Sequence, residues 1–87
     1  MSYEERLAYR KAVLGEVGSE RIRQEHRWDD FADRQWTLFD WHEMIADYNA
    51  WARRKAAMGN FKEARERYIQ IAALAVAAVE AMKEGKP

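Results

Sequence analysis

Four carboxylates are the first residues in this chain whose type and spacing suggest chemistry. Glu43 and Asp47 stand four apart, and Glu63 and Glu66 three apart, so each pair falls on one side of a helix if its segment is helical. Carboxylates projecting from two facing helices of a bundle are how a hard cation such as magnesium is held, with waters left for a phosphate substrate. The same charges also suit a solvated helix face. Glu20-Arg-Ile-Arg-Gln-Glu-His-Arg27 offers Arg21 and Arg23 as forks for phosphate, or a surface helix laced with ion pairs such as Arg21 with Glu25. Trp28, Trp36, Trp41 and Trp51 could stack a nucleobase or fill a small core, and Trp28 and Trp36 are the candidates for stacking or for partner binding.

Other chemistries have no residues to carry them. The chain has no cysteine, which removes disulfides, thiolate metal sites and cysteine nucleophiles. His26 and His42 have no second ligand at metal spacing, and His42-Glu-Met-Ile-Ala46 ends in alanine where a zinc protease needs histidine. No glycine-rich phosphate loop and no serine elbow occurs. Fifteen basic residues balance fifteen acidic ones, so the positive footprint of a nucleic-acid-binding domain is missing.

The elements that must position these residues are helices. Ser2 and Glu5 form a capping box that opens a first helix through Leu7 to about Leu14; Gly15 and Gly18 then weaken it, and Ser19 could cap a continuation to Arg27. Residues 28–37 read as an aromatic connector. Thr37 and Asp40 cap a second helix, with Trp41, Met44, Ile45, Tyr48 and Ala52 as its apolar stripe, running to about Met58. Gly59-Asn60, with Glu63 three residues on, predicts a tight reversal into a third helix from Phe61 to Glu84. Residues 71–79 are apolar around the whole circumference, more than one neighbouring helix can cover.

These features predict an all-α bundle with a C-terminal antiparallel hairpin, completed by oligomerisation into a dimer or tetramer through Leu74, Val76 and Val79. At 87 residues a single core is only marginally sufficient, which favours association. The longest apolar run is too short to span a bilayer and the first residues are charged, so the simplest expectation is a cytoplasmic protein without a membrane partner.

Three pieces of the sequence resemble the MazG-like all-α nucleoside triphosphate pyrophosphohydrolases, particularly their short, divergent phage and prophage members. Glu20-Arg-Ile-Arg-Gln24 followed by Trp28 is similar to their ER-x-RQ…W opening. Trp41, Ile45 and Tyr48 are similar to the start of their first core helix. Arg67 to Glu80 (RYIQIAALAVAAVE) resembles their ELVQVAALAVAAIE helix, and the likeness covers about residues 16–82. It implies magnesium-dependent cleavage between the α and β phosphates of a nucleotide, in the host cytoplasm for a phage-encoded protein.

The sequence departs from that family where metal is held. Active members carry an E-E-x-x-E cluster on the first helix and an E-x-x-D pair on the second. Here the cluster shrinks to Asp47 with Glu43 a turn earlier, Trp51 stands at a carboxylate position, Arg67 replaces Glu and Gln70 replaces Asp. A cation in place of a carboxylate repels magnesium. The resemblance thus implies a nucleotide-related protein with a degenerate metal site, rebuilt if at all from Glu43, Asp47, Glu63 and Glu66. The alternative is a small phage-encoded interaction protein that binds and inhibits or modulates a host protein through its aromatic and arginine anchors.

Overall fold

The computed structural model describes residues 1–27 and 37–83, Leu38 and Lys83 by backbone alone. Three helices follow in order: α1 Tyr3–Arg27, α2 Leu38–Ala57 and α3 Phe61–Lys83. Among the described residues there is no strand. The connector containing Trp28, and Trp36 with it, lies outside the described residues.

Each helix starts where a capping box was expected. Glu5 N–H donates to Ser2 Oγ (3.1 Å) and Ser2 N–H to Glu5 Oε1 (3.3 Å). The Thr37 backbone N–H donates to Asp40 Oδ2 (2.8 Å) while Asp40 N–H returns to Thr37 Oγ1 (3.3 Å). Glu63 N–H donates to Asn60 Oδ1 (3.2 Å), and the Asn60 amide reaches the Glu63 carboxylate (2.8 Å). Each box occupies N–H groups that the first turn leaves without a helical partner. The reversal between α2 and α3 turns on Gly59, whose φ of 78° a side chain would resist.

α1 runs unbroken through Gly15 and Gly18, so Ser19 sits within a helix and caps none. Two interior glycines cost a helix about 1 kcal/mol each. Downstream the helix is tied to the rest of the chain, with Val17, Glu20 and Gln24 all buried.

α3 is the central element. It packs along α2 and also against α1, while α1 and α2 make no close backbone approach to each other. The core lies between α2 and α3, where Trp41, Leu74, Ala77 and Ala78 are buried and Met44, Ile45 and Tyr48 pack around them. The α2 stripe is therefore the one its period predicted. Leu74 is 0% exposed and belongs to this core. Its expected place on the uncovered face is corrected by geometry: at about 100° per residue, Leu74 lies about 140° around the helix from Val79. Val76 and Val79 remain exposed.

The hairpin has a simple register. Residues equidistant from Gly59 meet across it: Lys55 pairs with Glu63 (2.9 Å), Trp51 with Arg67 (3.7 Å from cation to ring centre), and Trp41 and Ala77 share the core.

Candidate functional site

The four carboxylate candidates do not converge. Among the described residues no group of three or more His, Asp or Glu side chains is placed to hold a metal ion. Helical geometry explains why. Glu43 and Asp47 lie about 200° and 240° around α2 from Trp41, so the turn that buries the apolar stripe carries them away from α3; both are exposed. Glu63 is committed locally, as the partner of Asn60 at the α3 start and of Lys55 across the turn. Its carboxyl is held below the usual range first by the hydrogen bond from Lys55 and then by that residue's charge. Glu66 is exposed.

The arginine candidates are divided. Arg21 spends its Nε on Glu80 of α3 (2.8 Å) and also lies 3.6 Å from Glu25, the expected helix pair. Arg23 is mostly exposed, with Glu20 at 3.5 Å. The segment read as solvated or bound to something charged divides: Ile22, Arg23 and residues 25–27 are exposed and Arg21 meets the charged Glu80, whereas Glu20 and Gln24 are buried, with Gln24 donating its amide to the Gln70 carbonyl (3.2 Å).

What the fold does bring together is the set of positions at which the sequence departs from the MazG-like pattern. The Arg67 guanidinium lies 3.7 Å over the centre of the Trp51 ring, and its Nη1 donates to Gln70 Oε1 (2.9 Å). Tyr48 meets Trp51 edge to face, with centroids 6.0 Å apart. Gln24 of α1 closes the cluster through the Gln70 carbonyl, so all three helices contribute. Two buried polar atoms here, Arg67 Nε and Gln24 Oε1, have no hydrogen-bond partner among the described residues. A stacked guanidinium of this kind contributes about 0.5–2 kcal/mol. It also fixes a positive charge between the hairpin helices, and this donor set does not fit magnesium. The departures were visible in the sequence. Their contact was not, although the equal spacing of Trp51 and Arg67 from Gly59 was the signal that placed them opposite each other.

A second feature was not anticipated. An apolar groove of about 460 Å³ runs between α1 and the first half of α3, walled by Tyr9, Val13, Val17, Ala64, Tyr68 and Ala72. Arg65 stands at its edge, bonded to Glu16 through both Nη atoms (2.8 and 2.7 Å). These bonds lower the Glu16 pKa and raise that of Arg65, which also points toward the Tyr9 hydroxyl at 3.5 Å. With Arg65 so engaged, the groove offers apolar surface and, among the described residues that line it, no free cation for a phosphate.

Family models, curated proteins and solved structures give no match to this chain. Among the described residues no helix is long and apolar enough to cross a membrane.

Proposed function

We propose that this chain is an oligomeric binding protein on a MazG-like helical scaffold, in which the magnesium-dependent pyrophosphohydrolase centre has given way to a fixed cationic cluster. The Trp51–Arg67–Gln70 contact carries this reading. Three positions at which the family likeness would place carboxylates hold an aromatic ring, a cation and an amide, and the cation contacts both of the others. Glu43, Asp47, Glu63 and Glu66 supply no replacement, since they are scattered or locally engaged. The large apolar residues left exposed on α3, Phe61, Tyr68, Val76, Val79 and Met82, suit association, and the homo-oligomer seam is assigned to Val76 and Val79.

Pyrophosphate release from a panel of nucleoside triphosphates with magnesium tests the proposal. The expected rate is that of buffer alone. Magnesium-dependent turnover that D47N or E63Q abolishes would return the chain to the hydrolases.

The same exposed apolar side chains favour a second reading, in which the covering surface belongs to a host protein that the chain inhibits or modulates. The two part on the behaviour of the isolated protein. Self-association at micromolar concentration supports the first, whereas a strictly monomeric chain with no hydrolytic activity supports the second.

A further inference from the structure

The groove between α1 and α3 carries unpaired positive charge at one end. Arg6, Tyr9, Val13 and Val17 fall within an arc of about 80° on α1, and Lys62, Arg65, Ile69 and Ala72 within an equal arc on α3. Tyr9, Val13, Val17, Ile69 and Ala72 line the groove, while Arg6 stands one turn before Tyr9 and Lys62 one turn before Arg65. The two helices run in the same sense here, since Tyr9 meets Arg65 and Gln24 meets Gln70. Arg6 and Lys62 therefore continue the two walls toward the same mouth. Both are exposed, and among the described residues neither has a hydrogen-bond or ion-pair partner.

The acids of this region are engaged or turned aside. Glu16 is held by Arg65, Glu63 by Lys55 and Asn60, and Glu5 by the Ser2 cap. Glu4 lies about 160° around α1 from Arg6. Glu66, a turn beyond Lys62, makes no ion pair with it among the described residues. Residues 6–14 hold Arg6, Arg10 and Lys11 with no acid, and residues 48–62 hold Arg53, Arg54, Lys55 and Lys62 with none. The formal net charge of zero is thus unevenly placed. Past Val17 and Ala72 the arrangement is the opposite, for there the bonds Gln24 to Gln70 and Arg21 to Glu80 leave the polar groups tied between the helices.

An apolar trough with free cations at one mouth complements a molecule that has an apolar body and an anionic head. We propose that the groove is a binding site for a small carboxylate amphiphile. Its hydrocarbon body lies along Val13, Val17 and Ala72 with the Tyr9 and Tyr68 rings beside it, and its carboxylate sits between Arg6 and Lys62. The volume, about 460 Å³, is within the roughly 300–1,000 Å³ of small-ligand sites. Arg6 offers a fork that matches a carboxylate, and Lys62 a point charge. This site is separate from the Trp51–Arg67–Gln70 cluster, and its occupation does not depend on self-association.

Three probes that share one tail and differ in the head test the proposal: decanoate, decanol and decyltrimethylammonium. Each is titrated, below its aggregation threshold, into the isotope-labelled full chain while backbone amide shifts are read residue by residue. The expected shifts fall on residues 9–17 and 61–72, with decanoate bound about tenfold more tightly than decanol and the cationic probe weakest. The double variant R6E/K62E, at two exposed positions, is expected to keep the helical spectrum and the affinity for decanol while losing the tenfold preference. R6K/K62R should retain the preference. Retained binding of decanol separates loss of charge from loss of fold. Equal affinity for the three probes, or a preference that survives R6E/K62E, would overturn the anionic head group. Shifts confined to Val76 and Val79, or none in the groove with any probe, would overturn the site itself. A groove that answers instead to an acidic, leucine-containing peptide would assign it to a protein partner and overturn the small-molecule reading.

Discussion

The α2–α3 hairpin and α1 are both helices opened by a capping box, yet they are held in different ways. The hairpin owns the core, with Trp41, Leu74, Ala77 and Ala78 buried and Ala52 wholly enclosed. In α1 nothing between Tyr3 and Glu16 is buried, and the second half docks through Val17 and two polar residues, Glu20 and Gln24. Capping decides where a helix starts, but packing of an apolar face supplies most of its stability. The hairpin therefore holds the larger share of the buried apolar residues, while α1 is an arm whose first four turns lean on helix propensity and one groove.

The comparison breaks most visibly on leucine. Leu74→Ala removes a fully buried side chain from the centre of the hairpin and is expected to cost about 3 kcal/mol, within the 2–5 of such core truncations. For a chain of this length that lowers the melting temperature by more than about 10 °C. Leu7→Ala, at a half-buried position on α1, is expected to cost less than about 1 kcal/mol. Equal losses in thermal melts of the two variants would mean that α1 is as much a part of the cooperative unit as the hairpin.

A smaller effect of opposite sign is expected from the α1 glycines. A Cβ built at Gly15 or Gly18 meets nothing within 4 Å, and neither residue has a positive φ that a side chain would strain. The double variant G15A/G18A should therefore gain helix propensity, about 1–2 kcal/mol in total, without a steric penalty. If α1 opens independently of the hairpin, the gain will show in slower amide exchange over residues 3–16 and hardly at all in the global melt. A full gain in the global melt would tie the arm to the core.

The legibility of these regions follows the same division. All three helix starts and the Gly59 reversal could be read from short-range patterns, because a capping box is made by residues three apart and needs no knowledge of the fold. The α2 stripe was equally clear, since apolar period and burial coincide there. Docking of α1 was not legible: much of it rests on Gln24 and Glu20, whose types argue for solvent, and the Gln70 carbonyl across the interface makes the burial of Gln24 more tolerable. The carboxylate site failed for a related reason. Spacing within one helix places Glu43 beside Asp47, but only the rotation fixed by Trp41 and its stripe determines whether that pair faces a neighbour. The Trp51–Arg67 contact lies between these cases, predictable from the turn once Gly59 is taken as the centre of the register.

The smallest expected effect concerns the strap that fastens α1 to α3. The bidentate bonds from Arg65 hold the Glu16 carboxyl below its ordinary value of 4.5. A carboxylate with a lowered folded pKa adds stability that is present in full above the unfolded value and fades as pH falls through the folded one. The strap should thus be intact from neutrality down to about pH 5 and loosen below about 4.5, where protonation of Glu16 removes the charge that Arg65 grips. Glu63, lowered by Lys55, titrates in the same direction and reports on the hairpin turn instead. Amide exchange of residues 9–20, followed from pH 6 to 3.5 and corrected for intrinsic rates, separates the two. E16Q should raise exchange in α1 at pH 6 and flatten its pH dependence, with α2 and α3 unchanged. Because both partners are solvent-exposed, the effect should also shrink at 0.5 M salt, where the Debye length falls to about 4 Å. An α1 whose protection is indifferent to pH, salt and E16Q alike would show that the groove residues Val13 and Val17, and not the ion pair, hold the arm in place.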